Sequence, residues 1–116
     1  METGPGDNGD FVSGVLAFRV AAYDPSAGSS DGAGIDFVLM WVYGPDGQLV
    51  REHREGTAGY CVFQGGEPDC NLWDFAANGY IWPDGANFTP GPHRLVAEVH
   101  ADDGRVVPLE RVVQIQ

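Results

Sequence analysis

The segment from Ile35 to Tyr43 constrains the fold more than any other in the chain. Read with a period of two, Val38, Met40 and Val42 fall on one side, and Phe37, Leu39, Trp41 and Tyr43 on the other. A β-strand sends successive side chains to opposite faces, so this strand is apolar on both. It ends at Gly44-Pro45-Asp46-Gly47, which places Pro and Gly where a β-turn wants them. Gln48 to Arg54 then reads as its hairpin partner, more polar and therefore near a sheet edge.

The rest of the chain follows the same logic. Phe11 and Val12 suit a short edge strand. From Val15 to Tyr23, Leu16, Phe18, Val20 and Ala22 share a face, and Asp24-Pro25 ends the run. Tyr60 to Gln64 reads as a short strand. Leu95, Ala97 and Val99 alternate with Arg94, Val96, Glu98 and His100, and Ala101-Asp102-Asp103-Gly104 is a turn. Val106 to Ile115 is a last strand, with a bulge or an edge-side switch expected at Pro108. No window holds a clean helical period, so the 116 residues are expected to form one all-β domain over 11–116, preceded by a disordered leader over 1–10. Residues 65–90 carry Trp73, Phe75, Tyr80, Trp82 and Phe88 without a regular period. A stretch that long is packed down or functional.

Charge narrows the functional classes. The formal net charge is −11, all six basic residues are Arg, and there is no Lys. Nucleic-acid binding needs a basic stripe to displace counterions from phosphates, and the chain has none. Anionic membrane surfaces are disfavoured for the same reason, and no run approaches the ~20 apolar residues of a membrane span. Cys61 and Cys70 are separated by eight residues that include Gly65, Gly66 and Pro68. They are expected to form a disulfide, which implies an oxidising compartment. Two free thiols, or half a metal site with His53, are the alternatives.

These segments resemble the bacterial immunoglobulin-like domains that occur in tandem on secreted enzymes and surface proteins. The resemblance rests on GVLAFRVAAYDP (14–25), GIDFVLMWVYGPDG (34–47), TAGYCVF (57–63) and GPHRLVAEVHADDG (91–104). It implies a two-sheet antiparallel sandwich of about seven strands with Greek-key connections. It also implies that the loops at 24–35 and 101–105 meet at one end. Val38, Met40 and Val42 match the inward positions, so Phe37, Leu39, Trp41 and Tyr43 point outward. Four large apolar residues there make a patch bigger than soluble monomers usually expose. Its cover is expected from the chain's own insertion, about 65–90, or from a neighbouring domain or subunit.

The resemblance implies a secreted or cell-surface, non-catalytic module: a spacer, adhesion or accessory domain. The residues agree. Ser13, Ser26, Ser29 and Ser30 lack a nucleophile elbow. Glu98 is the one acid on a confidently interior strand, short of the two carboxylates a glycosidase requires. His53, His93 and His100 read as surface or strand-end residues. Two ligand classes remain. Asp24, Asp31 and Asp36 on one loop, with Asp102 and Asp103 on the other, suit either calcium or plain turn chemistry; apart from this candidate calcium site no cofactor is expected. Trp73, Tyr80 and Trp82 are candidate platforms for carbohydrate. A self-assembling surface subunit is the third reading, with Phe37, Leu39, Trp41 and Tyr43 as its contact surface.

Overall fold

A computed structural model describes residues 11–12, 15–16, 20, 22–28, 30, 32–56, 60, 62–63 and 73–116. The described residues hold seven strands and no helix: β1 (Phe11–Val12), β2 (Val15–Leu16), β3 (Ile35–Tyr43), β4 (Leu49–Glu55), β5 (Trp73–Asp74), β6 (Gly91–Ala101) and β7 (Val106–Ile115). The larger sheet has the order β1-β7-β6-β3-β4, and β2 pairs with β5 in a separate two-stranded ladder. All pairings are antiparallel except β1 with β7. The chain passes from the small ladder to the large sheet between β2 and β3, returns at β5, and crosses again to β6. The neighbours β7, β6, β3 and β4 stand as the G, F, C and C′ strands of an immunoglobulin-like sandwich do, so the architecture is compatible with that class.

β3 is an interior strand, paired on both edges with β4 and β6, and one of its faces packs into the core. Val38, Met40 and Val42 have no exposed surface, and Leu95 and Ala97 of β6 and Val113 and Ile115 of β7 are equally buried beside them. β4 is an edge strand, as its polarity requires. Its inward-facing Arg51, His53 and Glu55 are mostly but not fully buried. The Arg51 guanidinium donates from Nε and Nη2 to the Val62 carbonyl (3.0 and 2.8 Å) and from Nη1 to Asp84 (3.1 Å). It therefore ties β4 to the opposite layer.

Three sequence expectations change. Tyr60, Val62 and Phe63 are buried but not in a strand: the Tyr60 carbonyl accepts the Val20 amide at 3.2 Å, and Tyr60 takes a left-handed φ of 38°. Pro108 causes no bulge. It faces Glu98 in an unbroken register, and among the described residues no strand pairs with β7 on its other side there, since β1 pairs with Gln114 and Ile115. A proline needs no partner for a missing N–H on that side.

The third change concerns the insertion. Phe75, Trp82 and Phe88 join Tyr60, Val62 and Phe63 in one core with Val38, Met40 and Leu95, so the described part of the insertion, 73–90, packs on the inner face of the large sheet. The chain folds this way because Trp82-Pro83-Asp84-Gly85 is a tight turn, with Gly85 N–H donating to the Trp82 carbonyl at 2.9 Å. Trp82 N–H in turn donates to Ala86 and Phe88 N–H to Tyr80, both at 2.8 Å. Trp82 and Phe88 point inward, whereas Tyr80, which takes a left-handed φ of 58°, is turned out and 59% exposed. Cys61 and Cys70, and with them the disulfide, lie outside the described residues. So do residues 1–10.

Candidate functional site

The outer face of the large sheet is assembled by register alone. Directly paired residues share a face, so Phe37, Leu39, Trp41 and Tyr43 of β3 stand beside His100, Glu98, Val96 and Arg94 of β6. Beyond them come Val106, Pro108, Glu110 and Val112 of β7. On the other side, Arg54 adjoins Leu39 and Glu52 adjoins Trp41. The β3 residues are half-buried rather than open, and this sheet's own polar side chains lie over Phe37 and Tyr43. The Arg54 guanidinium sits 4.1 Å from the Phe37 ring centre, His100 stacks on the same ring at 4.3 Å, and Arg94 lies 4.7 Å over Tyr43. Cations over aromatic faces gain from the ring quadrupole while keeping contact with water. Val106 and Val112 remain about half exposed.

The two predicted loops do meet at one end. Asp102 N–H donates to the Gly34 carbonyl at 2.9 Å. Asp24 accepts hydrogen bonds from the Ser26 amide (3.0 Å) and hydroxyl (2.8 Å), and from Arg105. Arg105 also donates to Asp103 through Nε at 2.6 Å. The Ser26 hydrogen bonds, with Arg105 beyond them, hold the Asp24 carboxyl below its ordinary range. The hydrogen bond and charge of Asp103, with Asp24 behind, push the Arg105 guanidinium up. The position between Asp24 and Asp103 that calcium was expected to take is thus held by a guanidinium. Asp36 and Asp102 are exposed and outside this pairing, and Asp31 lies outside the described residues. Among the described residues no three His, Cys, Asp or Glu side chains converge as a metal site. The sequence reading missed Arg105, although its place just after the Asp102-Asp103-Gly104 turn put it beside those carboxylates.

Below this end lies an apolar cleft of about 330 Å³ lined by Tyr23, Pro25, Ile35, Val99, Val107 and Leu109, with Asp24 and Arg105 at its rim. Val107 points to the inner face yet is 52% exposed.

The carbohydrate platform is not assembled. Trp82 is fully buried between Phe75 (ring centres 4.9 Å apart, edge-on) and His93 (5.8 Å), so neither of its faces is free. Trp73 is half-buried, stacks on Phe63 at 5.8 Å, and donates its indole N–H to the Ile81 carbonyl at 2.9 Å. Only Tyr80 is open. Aromatic residues in an irregular stretch are ambiguous in sequence between ligand platform and core, and here the core takes most of them.

The three histidines differ. His53 lies 3.2 Å from Glu55, and His100 lies 3.2 Å from Glu98, each across an i, i+2 spacing that puts both on one face. His93 was read as a strand-end residue, but it is fully buried. Its Nδ1 donates to the Gly91 carbonyl at 2.9 Å, which leaves Nε2 as an acceptor. Burial pushes its pKa down, opposed by the Gly91 hydrogen bond.

No protein family matches the chain, and no characterised protein matches it in sequence. Among solved structures it is similar to CopC from Methylosinus trichosporium OB3b, with 16% identity over 93% of this chain and 83% of that one, at a TM-score of 0.49. A likeness that distant carries no argument about activity.

Proposed function

We propose that this chain is a non-catalytic immunoglobulin-like module of an exported protein, and that the outer face of its large sheet docks a second copy of the chain. The reading rests on the row Phe37, Leu39, Trp41 and Tyr43, which is half-buried and lies on the face opposite the core that the described residues of the insertion join. An acidic chain of net charge −11 repels its own copies, but the charges on this face nearly balance. Its paired rows hold two arginines, Arg54 and Arg94, against three glutamates, Glu52, Glu98 and Glu110. Arg54 and Glu98 flank Leu39 in one cross-strand row. A copy laid face to face about a two-fold axis along β3 brings Arg54 of each over Glu98 of the other. Such an isologous contact closes after two chains.

The area is modest. Four strands spaced about 4.8 Å apart, over about nine residues of ~3.3 Å rise, span roughly 20 by 30 Å, or about 600 Å² per copy. That is below the ~800 Å² per partner of a standard stable interface, so the dimer is weak and concentration-dependent. Export is supported by the two closely spaced cysteines and the acidic, Lys-free composition. Sedimentation velocity over a wide concentration range tests the docking. The wild type should shift from monomer to dimer, and Trp41→Glu should stay monomeric with its fold intact. A wild type that stays monomeric at the highest concentrations, with Trp41→Glu indistinguishable from it, returns the chain to a passive spacer.

A further inference from the structure

Among the described residues, two buried side-chain polar atoms have no hydrogen-bond partner: Trp82 Nε1 and His93 Nε2. The first can only donate. The second can only accept, because His93 Nδ1 carries the proton given to the Gly91 carbonyl. A buried donor or acceptor left unpaired carries the full cost of its lost hydration, and native proteins rarely leave one so. Here a donor and an acceptor occur together, on rings whose centres are 5.8 Å apart.

Both rings border one cavity of about 350 Å³, whose lining is mostly polar. It lies where two Pro-Asp-Gly turns converge. Gly47 N–H donates to the Gly44 carbonyl, as Gly85 N–H donates to that of Trp82, both at 2.9 Å. Pro45 of the first turn is seated on Gly91, where an added Cβ would come within 3.1 Å of the proline ring. The second turn carries Trp82 itself. Asp46, Gln48, Asn87 and Thr89 complete the polar wall. The wall holds no basic side chain apart from the neutral-tautomer imidazole, so an anion has no counter-charge there. The one carboxylate, Asp46, already accepts the Gln48 amide at 3.0 Å.

We propose that this cavity is a binding site for hydroxyl groups, supplied by a small neutral polyol or by water. A hydroxyl oxygen accepts the Trp82 indole N–H, and a hydroxyl hydrogen goes to His93 Nε2. Hydroxyl is the group that both accepts and donates without charge, and the amides of Gln48 and Asn87 and the hydroxyl of Thr89 suit the remaining hydroxyls of a polyol. The site is separate from the outer face proposed for docking, and from the exposed aromatic platform that the structure does not form.

The test is nitrogen NMR on the intact chain, whose three tryptophans give three separable indole signals. Glycerol and glucose are titrated in turn. A saturable shift of both the Trp82 indole N–H and His93 Nε2, weakened several-fold in Asn87→Ala and Thr89→Val, supports a polyol site. No polyol shift, but a long-lived water contact at the Trp82 indole N–H, supports the hydroxyl site with water as its source. A direct through-hydrogen-bond coupling between Trp82 Nε1 and His93 Nε2 overturns the proposal, since the two atoms then satisfy each other. The proposal also fails if the indole N–H shows neither polyol response nor water contact. The rim variants serve because they keep Trp82, whose removal endangers the core.

Discussion

Replacing Trp82 by Ala tests whether the insertion is part of the core or an appendage to it. Trp82 has no exposed surface and lies against Phe75 (4.9 Å), His93 (5.8 Å), Phe63 (6.4 Å) and Phe88 (6.4 Å), measured between ring centres. Truncating a buried Trp to Ala costs about 3–5 kcal/mol, combining lost transfer energy with the cavity left behind. A domain of 116 residues has a total stability of roughly 6–17 kcal/mol, so the change removes a large share of it. Trp41→Ala is the control. Trp41 is half-exposed between Glu52 and Val96, and its truncation is expected to cost about 1–2 kcal/mol in the monomer. Urea unfolding measures both. With a slope of about 2 kcal/mol per molar, the Trp82 variant should shift its midpoint by about 2 M and the Trp41 variant by less than about 1 M. A Trp82→Ala protein within about 1 kcal/mol of the wild type would refute the placement of the insertion in the core.

Three other perturbations follow from single sites. At Gly34 (φ +72°), a Cβ would lie 2.8 Å from that of Asp24 and 2.9 Å from that of Ala27. Gly34→Ala should therefore cost about 2–4 kcal/mol, against about 1–2 kcal/mol for Gly104→Ala (φ +90°), where an added Cβ meets nothing; equal losses in thermal unfolding would contradict this. His93 has a folded pKa below the ordinary imidazole value of 6.5, so the unfolded chain binds more protons between the two. Its contribution to stability is complete above about pH 6.5 and is lost as pH falls towards the folded value; His93→Gln should flatten that slope in pH-dependent unfolding. Because Arg105 already bridges Asp24 and Asp103, adding Ca²⁺ should leave the thermal midpoint of the wild type unchanged, and a rise relative to chelator would show that the carboxylates bind calcium after all.

Two strands of the large sheet were legible in the sequence, whereas the alternating run from Val15 to Tyr23 was not: among its described residues only Val15–Leu16 is strand, and Val20, Ala22 and Tyr23 lie outside one. β3 runs from Ile35 to Tyr43 as its pattern requires, and β4 sits at the edge that Arg51, Glu52, His53 and Arg54 demand. The turns at 44–47 and 101–104 were legible because Pro, Asp and Gly have narrow backbone preferences. The convergence of two acidic loops was legible too, but their electrostatics were not. The single Arg105 decides which carboxylates are paired, and pairing depends on distances across 81 positions of sequence. Nor did the sequence tell which side of the large sheet Trp82 and Phe88 would cover. Both faces of β3 are apolar, and either would have accepted them. The choice falls to the inner face because the Trp82-Pro83-Asp84-Gly85 turn sits opposite the start of β6, within reach of His93. The burial of His93 was missed because its neighbours Pro92 and Arg94 are polar or turn-like, while Leu95 and Ala97 two and four positions on already marked its side as inward.

The outer-face assignment is tested most directly by amide chemical shifts of the labelled chain over a dilution series. Dilution should move the signals of Phe37, Leu39 and Trp41 and of their cross-strand neighbours Arg54, Glu98 and Val96 along one monomer–dimer curve, while those of Phe75, Trp82 and Phe88 stay fixed. Shifts clustered at Asp24 and Arg105, or no concentration dependence in any signal, would contradict the proposal that this face docks a second copy.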